Sequence, residues 1–419
     1  MTHHNRRNIL YVLVVSSMAA GFLTGERLLF SVAYLLLGAL LFSFIWAHIA
    51  IRWVRISRRS QTQHARVGKT IEEHFSVHNT AVIPKLWLEV KDLSNLPGHR
   101  ASHVVPAVGA LGTFRWEART VCISRGEFRL GPMIILSGDP FGLFVIPRSI
   151  PAITRLIVYP NLVPIKRFHL VTGNTSGGEA KRQRSPNITP NVAGARDYTP
   201  GDSLTIMDWK ATARYKRLMV KEFDLDPLMD VWLFADFSSK SLVEAPSVQR
   251  VNGTGPVIPN QPGIPPSTEE YTAVITASLA QYFLDLDQEV GFSAHIPQRR
   301  VLQPDRAKRQ MTHILEALGM ARSMSEYSLD QMLAQETQYF TRGTTLILVT
   351  SSPESAWVAR AKRLSQRGVK AMCIYLDPTT FNPLIRAEDV RRTLRASGIP
   401  TIIVRCGDDL SHALGQKSQ

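Results

Sequence analysis

The sequence predicts a multidomain chain with an N-terminal transmembrane helical hairpin, a β-sandwich and an α/β Rossmann-like domain. Three observations carry this prediction. Two long uncharged runs stand at the N-terminus, short alternating segments separated by turn residues follow, and the C-terminal half alternates apolar strands with helical stretches. Because 44% of the 419 residues are hydrophobic and 20% are charged, the chain can build two or three cores, which excludes a disordered protein.

The first predicted element is a hairpin of two membrane-spanning helices within residues 1–66. Residues 8–25 and 28–51 contain no charged side chain. A bilayer core of ~30 Å needs about 20 helical residues, so the second run spans it comfortably and the first spans it marginally. A buried soluble helix and a cleaved signal peptide are the alternatives. Two adjacent uncharged runs disfavour the first, and after cleavage the second run would still anchor the chain.

The distribution of charge predicts the orientation of the hairpin. Residues 1–195 contain 23 basic and 9 acidic side chains, and therefore hold 14 of the 15 net positive charges. Arginines precede the first helix and follow the second, so both flanks and all later domains are expected in the cytoplasm of a two-pass protein of the plasma membrane. The C-terminal half is nearly neutral, which disfavours nucleic-acid binding. Three cysteines without paired spacing exclude a disulfide scaffold.

Residues 67–165 are predicted to form the β-sandwich-like domain. Apolar and polar residues alternate in 113–122, and 86–90 and 155–159 are further short strands between turns rich in Gly, Pro and Asn. Residues 166–227 follow as a basic loop and a segment with a distinctive sequence.

Residues 228–419 are predicted to form the α/β domain, with an extended proline-rich insertion at 242–266. Its strands are expected at 231–235, 290–294, 346–350, 371–376 and 401–404. Helical stretches are expected at 268–287, 305–318, 329–340, 354–366 and 387–396. This alternation of strands and helices predicts a parallel sheet with helices on both faces.

One candidate metal site lies at the end of the first strand of this domain. Asp236 and Ser238 stand at a strand end, where ligands bind in open α/β sheets and where oxygen donors suit Mg²⁺. The pair resembles the Asp-x-Ser-x-Ser metal-ion-dependent adhesion site of von Willebrand factor A domains. The last serine of that pattern is Lys240 here, whose ammonium could pair with Asp236 in place of a cation. A later strand end reads Thr350-Ser351-Ser352 where the family usually has Asp. We expect no cofactor, with Mg²⁺ at Asp236 as the alternative.

The segment 196–222 is the most distinctive of the chain. Trp209 is expected to be a large buried anchor, and Asp202 is expected to follow a turn and to pair with Arg196 or Arg214. The segment is therefore predicted to be architectural, joining the sandwich to the first strand of the α/β domain.

This segment resembles the signature of the family called domain of unknown function 58. The matching positions are Arg196, Tyr198, Gly201, Asp202, Trp209, Ala213 and Arg214. The chain departs from the family at Thr205, where an Arg is usual, and at Met207, where an Ile is usual. Two upstream segments add to the resemblance, namely residues 125–132 and the turn Asp139-Pro140-Phe141-Gly142-Leu143.

The resemblance implies a fold and partners rather than a chemistry. Family members are typically anchored in the membrane and often encoded beside MoxR-type AAA+ ATPases, and the C-terminal domain is expected to be von Willebrand factor A-like. We therefore expect a non-enzymatic interaction or scaffold protein, working with a cytoplasmic partner such as a MoxR-type ATPase in envelope or protein-assembly processes. The alternative is a membrane-associated hydrolase of envelope precursors, with catalytic carboxylates among Asp202, Asp208 and Asp236.

Overall fold

The structure is a computed structural model. It describes residues 3–60, 62–170, 192–199, 207–223, 230–246, 248–250, 256–257, 264–296 and 298–416. Of the predicted site residues, Gly201 and Asp202 lie outside these ranges, and so does most of the predicted basic loop.

Two helices, α1 (His3–Thr24) and α2 (Arg27–Ile51), form the N-terminal hairpin. Both are long and apolar enough to cross a membrane by length and composition, which is compatible with a membrane anchor. The turn between them passes through Gly25 with φ +72°, a left-handed conformation that glycine adopts without strain. Phe22 and Phe30 close the turn edge to face, with ring centroids 5.2 Å apart.

The β domain (residues 54–159) contains ten strands in three sheets. The strands are β1 (Val54–Ser60), β2 (His64–Arg66), β3 (Thr70–Asn79), β4 (Leu88–Asp92), β5 (His103–Val105), β6 (Thr113–Val121), β7 (Gly126–Leu130), β8 (Met133–Gly138), β9 (Val145–Ile150) and β10 (Thr154–Tyr159). The sheets run β1-β3-β6, β2-β10-β7 and β5-β4-β8-β9. The first and third share a core that includes Phe75, Val77, Leu88, Val90 and Ile135.

The β domain begins inside the range that the sequence assigned to the hairpin. Strand β1 starts at Val54, directly after the second helix, and pairs antiparallel with β3. The strand alternates between buried and exposed residues, with Val54 buried and Arg55 and Arg59 exposed. Its many arginines made this alternation hard to recognise in the sequence. Arg58 is on the buried face, where it binds Glu73 at 2.7 Å and Asp92 at 3.2 Å.

A small unit connects the two main domains. It consists of β11 (Val192–Asp197), α3 (Trp209–Tyr215) and β12 (Met219–Phe223), and β11 pairs antiparallel with β12.

The α/β domain (residues 230–416) has one six-stranded sheet. Its strands are β13 (Val231–Ala235), β16 (Val290–Ile296), β17 (Gln298–Asp305), β18 (Thr345–Thr350), β19 (Lys370–Leu376) and β20 (Thr401–Val404), and a two-stranded hairpin, β14 (Gln249–Arg250) and β15 (Pro256–Val257), lies in the insertion. The helices are α4 (Thr268–Asp285), α5 (Lys308–Met320), α6 (Leu329–Glu336), α7 (Ala356–Gln366), α8 (Pro378–Phe381), α9 (Glu388–Ser397) and α10 (Leu410–Ala413).

The strand order of this sheet is β17-β16-β13-β18-β19-β20, with β17 antiparallel to β16 and the other pairs parallel. The chain first builds outward from β13 on one side and then returns to add β18 on the other. The strand order therefore reverses between β13 and β18. The sequence missed β17, and the helix expected from residue 305 begins at Lys308 because Asp305 ends that strand.

Candidate functional site

The point where the strand order reverses is occupied by a hydrogen-bonded group of small polar residues. Asp236 follows β13 directly, and Thr350 ends β18. The Thr350 hydroxyl donates to Asp236 Oδ2 at 2.6 Å, and the Ser238 amide donates to Asp236 Oδ1 at 3.0 Å. In open α/β sheets this crevice at the carboxyl ends of the strands is the usual ligand position. The carboxylate thus lies where the sequence predicted it.

The surroundings of Asp236 disfavour its charged form. Burial raises the pKa of Asp236 above its ordinary value, and the hydrogen bonds from Thr350 and Ser238 offset only part of this effect. Ser238, Ser241 and Ser351 are buried around it. The Ser238 hydroxyl has no hydrogen-bond partner, and the Ser241 hydroxyl donates to the Ser238 carbonyl at 2.8 Å.

Lys240 does not take the place of a cation, which corrects the sequence-based expectation. Its ammonium lies 2.8 Å from Glu354 Oε1, and both side chains are half exposed, so the pair sits on the surface. Lys240 is in the short 3₁₀ turn Ser239–Ser241, which directs it away from the buried carboxylate.

The group around Asp236 combines one carboxylate with serine and threonine hydroxyls. Within the described residues no group of three His, Cys, Asp or Glu side chains could hold a metal ion. Both Asp236 oxygens accept hydrogen bonds from the protein. These hydrogen bonds join the ends of β13 and β18, and we call this arrangement the structural lock.

The described part of the signature segment forms the small unit of β11, α3 and β12. Arg196 lies on β11, where its backbone pairs with Val220, and the Tyr198 amide donates to the Leu218 carbonyl at 2.9 Å. Asp208 caps α3, since its Oδ1 accepts from the amides of Lys210 and Ala211 at 3.1 and 3.0 Å. The Asp208 carboxylate therefore serves as the N-terminal cap of α3.

Trp209 is not the buried anchor that the sequence predicted. It is the first residue of α3 and is 66% exposed. The helix is only seven residues long and buries none of its side chains, so the indole has no core to enter. Tyr215 and Leu218 are also largely exposed, and Ala213 and Arg214 lie on the same exposed helix. Val220 and Met219 on β12 are buried instead.

The turn at residues 139–143 is built around a buried carboxylate. Asp139 Oδ2 accepts from the Phe141 amide at 2.9 Å, and Oδ1 accepts from the Phe144 amide at 2.7 Å. Gly142 has φ +69° and its amide donates to the Asp139 carbonyl, which explains a glycine at that position. The turn holds Phe144 against Phe44 of α2, with ring centroids 5.6 Å apart.

A buried ion cluster joins the β domain to the α/β domain. Apart from the family resemblance of residues 125–132, no sequence pattern predicted it. Arg125 lies before β7 and is fully buried. It binds Glu269 of α4 at 2.9 Å and Glu270 at 3.5 Å, and it donates to the Ala321 carbonyl at 2.8 Å. Arg322 donates back to the Arg125 carbonyl at 2.9 Å.

A cleft of about 810 Å³ lies between the same two domains. It is lined by polar residues of β2 and β3, the end of α4 and the start of α5, among them His64, Arg66, Asp285 and Lys308. Neither Asp208 nor Asp236 lines it.

The fold and these sites together define a class of protein. It has two helices of bilayer length, a β domain attached to them, and an α/β domain. In the α/β domain, hydrogen bonds to Asp236 connect β13 and β18, the two strands between which the strand order reverses.

Sequence comparison finds a family model and a curated protein that are similar to parts of this chain. Residues 194–251, which include the small unit and Asp236, match the model described as "Protein of unknown function DUF58". The chain is 24% identical over 253 residues to the "Uncharacterized protein YeaD" of Bacillus subtilis (strain 168). That alignment covers 57% of this chain and 62% of the relative, so the chain spans less than two thirds of the curated relative that it matches. These comparisons support the resemblance to the DUF58 family that the sequence predicted.

Similar solved structures cover only a quarter of the chain. One is the CARDB domain of the PF1109 protein from Pyrococcus furiosus, at 14% identity and a TM-score of 0.19, covering 25% of this chain and 86% of that one. Another is WR4, an MSP family member of C. elegans, at 14% identity and a TM-score of 0.19, covering 25% and 97%. Likenesses at these TM-scores carry no conclusion about fold or function.

Proposed function

We propose that this protein is a membrane-tethered interaction protein. Its hairpin crosses the plasma membrane twice, and its β and α/β domains lie on the cytoplasmic side. The arginines before α1 and after α2 favour this orientation, because basic residues flanking a span are retained in the cytoplasm.

The α/β domain is assigned as von Willebrand factor A-like within this proposal. In chain order its strands read 3-2-1-4-5-6, which is a doubly wound Rossmann-like order with one antiparallel edge strand. Asp236 and Ser238 at the end of the first strand support the assignment. We propose that this domain is a binding module that works without a metal, and the hydrogen bonds from Thr350 and Ser238 to Asp236 support that proposal.

The observation that carries the proposal is the exposed aromatic surface within the family-matched residues. Trp209, Tyr215 and Leu218 are each about half exposed or more on one small unit. Their neighbours in the sequence include four exposed basic residues, Lys210, Arg214, Lys216 and Arg217. Tryptophan, tyrosine and arginine are the residues that most often dominate binding energy at protein interfaces. A partner with an apolar pocket and an acidic rim fits this surface. We propose a MoxR-type AAA+ ATPase as that partner.

Photo-crosslinking from Trp209 tests the proposal. p-Benzoylphenylalanine replaces Trp209 in the full chain in intact cells, and the crosslinked proteins are identified by mass spectrometry. Leu384, which is 89% exposed and lies outside the family-matched residues, is the matched control position. We expect an AAA+ ATPase among the products from position 209 and not from position 384. If position 209 yields no ATPase, the partner assignment is wrong, and if it yields no protein at all, the interaction surface is wrong as well.

The hydrolase alternative gains no support from the described carboxylates. Asp208 caps a helix, and Asp236 is hydrogen-bonded inside the sheet edge. The cleft between the domains contains neither of them. A general acid or base must reach a substrate, and these two groups do not open onto that cleft.

A further inference from the structure

One end of the β domain lies directly beside the C-terminal end of α2. Three loops form this end, at residues 80–87, 106–112 and 139–144, and we call them the helix-facing loops. Both β8 and β9 pack against α2, and the 139–144 loop connects these two strands.

Specific contacts tie the 80–87 loop to α2 and to the residues that follow it, and tie the 106–112 loop to the 80–87 loop. The Lys85 ammonium donates to the Ile49 carbonyl at 2.9 Å, which places a cation on the C-terminus of the helix. The Thr80 amide donates to the Trp53 carbonyl at 2.8 Å, and the Leu111 amide donates to the Ala81 carbonyl at 3.0 Å. These hydrogen bonds hold the two loops next to the C-terminal end of α2.

The depth of these contacts follows from the length of α2. The helix has 25 residues, so at about 1.5 Å per residue it is ~37 Å long, which exceeds a bilayer core of ~30 Å. Counted from Arg27, about 20 residues cross the core, which ends near Trp46. Phe144 packs on Phe44, close to that boundary, and Arg7 lies 5.8 Å from the Phe144 ring. Residues Ala47, Ala50 and Ile51 beyond it are covered by protein.

The helix-facing loops and the adjoining Trp53 expose an unusual number of apolar side chains. Val82 is 76% exposed and Phe141 is 58% exposed. The other large apolar side chains in this region that are more than one third exposed are Trp53, Ile83, Leu86 and Leu111. Clustered exposed apolar residues mark an interaction site, and aromatic residues with basic neighbours are typical of the headgroup region. Arg52, which is exposed, and Arg7, which is partly exposed, supply positive charge that attracts anionic headgroups.

We propose that the helix-facing loops are inserted into the headgroup–acyl boundary of the leaflet from which α2 emerges, with lipid covering Val82 and Phe141. The inference rests on the membrane anchor of the proposed function. It adds that the β domain is fixed on the bilayer surface rather than hanging from a free linker. The anchored β domain would hold the small unit at a defined height above the membrane.

Spin-label depth measurements test this proposal in the full chain, reconstituted into vesicles of phosphatidylethanolamine and phosphatidylglycerol. Nitroxide labels are attached to Phe141→Cys and Val82→Cys in a Cys406→Ser background, because Cys122 and Cys373 are fully buried. The background protein alone reports residual labelling. Collisions with oxygen, which is enriched in lipid, are compared with collisions with a water-soluble nickel complex. Leu384→Cys is the aqueous reference, and Leu35→Cys on the exposed face of α2 is the reference for the bilayer core.

We expect oxygen collisions to dominate at 141, 82 and 35, and nickel collisions to dominate at 384. Nickel dominance at 141 and 82 with oxygen dominance at 35 overturns the inserted loops while the anchor stands. Low collision rates with both reagents at 141 and 82 also overturn the proposal, because protein then covers the loops. Nickel dominance at 35 overturns the anchor itself, and with it this inference.

Discussion

Replacing Arg125 with alanine tests whether one buried ion cluster holds the β domain and the α/β domain together. Arg125 is fully buried, and its guanidinium serves two carboxylates of α4 and the carbonyls of Glu269 and Ala321. The substitution removes every one of these interactions and leaves the Glu269 carboxylate in a site without access to water.

The magnitude follows from what remains around Glu269. Removing one partner of a buried ion pair costs about 3–5 kcal/mol of unfolding free energy, because the other charge stays buried. Glu269 keeps the Ser323 amide at 2.8 Å and Arg322 at 3.8 Å, which places the loss near the lower end. For domains of 150–250 residues each kcal/mol shifts Tm by about 2–4 °C, so a loss of ~3 kcal/mol lowers Tm by about 6–12 °C.

Differential scanning calorimetry of the full chain in detergent measures this loss. Arg155→Ala is the matched control, because Arg155 pairs with Glu127 at 2.7 Å while both side chains are exposed, and such pairs contribute only about 0–1 kcal/mol. We expect Arg125→Ala to lower Tm and to separate the transitions of the two domains. A Tm within the range of the control, with the transition shape unchanged, would refute the role of the cluster.

Three further predictions concern single carboxylates and Trp209. Asp236→Asn raises Tm at neutral pH, because burial already raises the pKa of this group and the charged form is the costly one; a lower Tm, or a wild-type Tm that rises with added Mg²⁺, contradicts the structural lock. Trp209→Ala changes the unfolding free energy by no more than about 0.5 kcal/mol, whereas Asp208→Ala loses about 1 kcal/mol with its helix cap; equal losses in chemical denaturation contradict this ranking. Burial alone would raise the pKa of Asp92, but the hydrogen bond from His99 and the nearby positive charges lower it below its ordinary value. Its stabilising contribution is therefore complete above the ordinary aspartate pKa of about 4 and is lost as pH falls through the lowered value, so Asp92→Asn makes urea midpoints less sensitive to acid than in the wild type.

The sequence predicts those elements whose stability is encoded locally. The strands at 231–235 and 401–404 have the predicted bounds, because buried parallel strands are short continuous apolar runs with clear ends. The helices at 329–336 and 356–366 lie within the predicted stretches, because their apolar residues repeat at helical spacing. Uncharged length alone indicates the two N-terminal helices.

Features that depend on tertiary neighbours were not predictable. Strand β17 carries Arg299 and Arg300 and lies at the sheet edge, so it lacks the apolar run that marks the inner strands. Trp209 looked like a core residue by type, yet α3 is too short to build a core around it. Arg125 and Glu269 are 144 residues apart, and only folding brings them into contact. In the candidate site the sequence predicted the position of Asp236 at the end of a strand. It did not predict that the Thr350 hydroxyl donates a hydrogen bond to the Asp236 carboxylate.

Thiol labelling in intact cells tests the central claim most directly, since every proposed interaction requires the soluble domains to be cytoplasmic. Single cysteines replace Glu26 in the turn of the hairpin and Leu384 on the α/β domain, both exposed, in the Cys406→Ser background. With a membrane-impermeant maleimide we expect labelling at position 26 in intact cells, and labelling at position 384 only after permeabilisation. Labelling at position 384 in intact cells, with none at position 26, would place both domains outside and contradict the account.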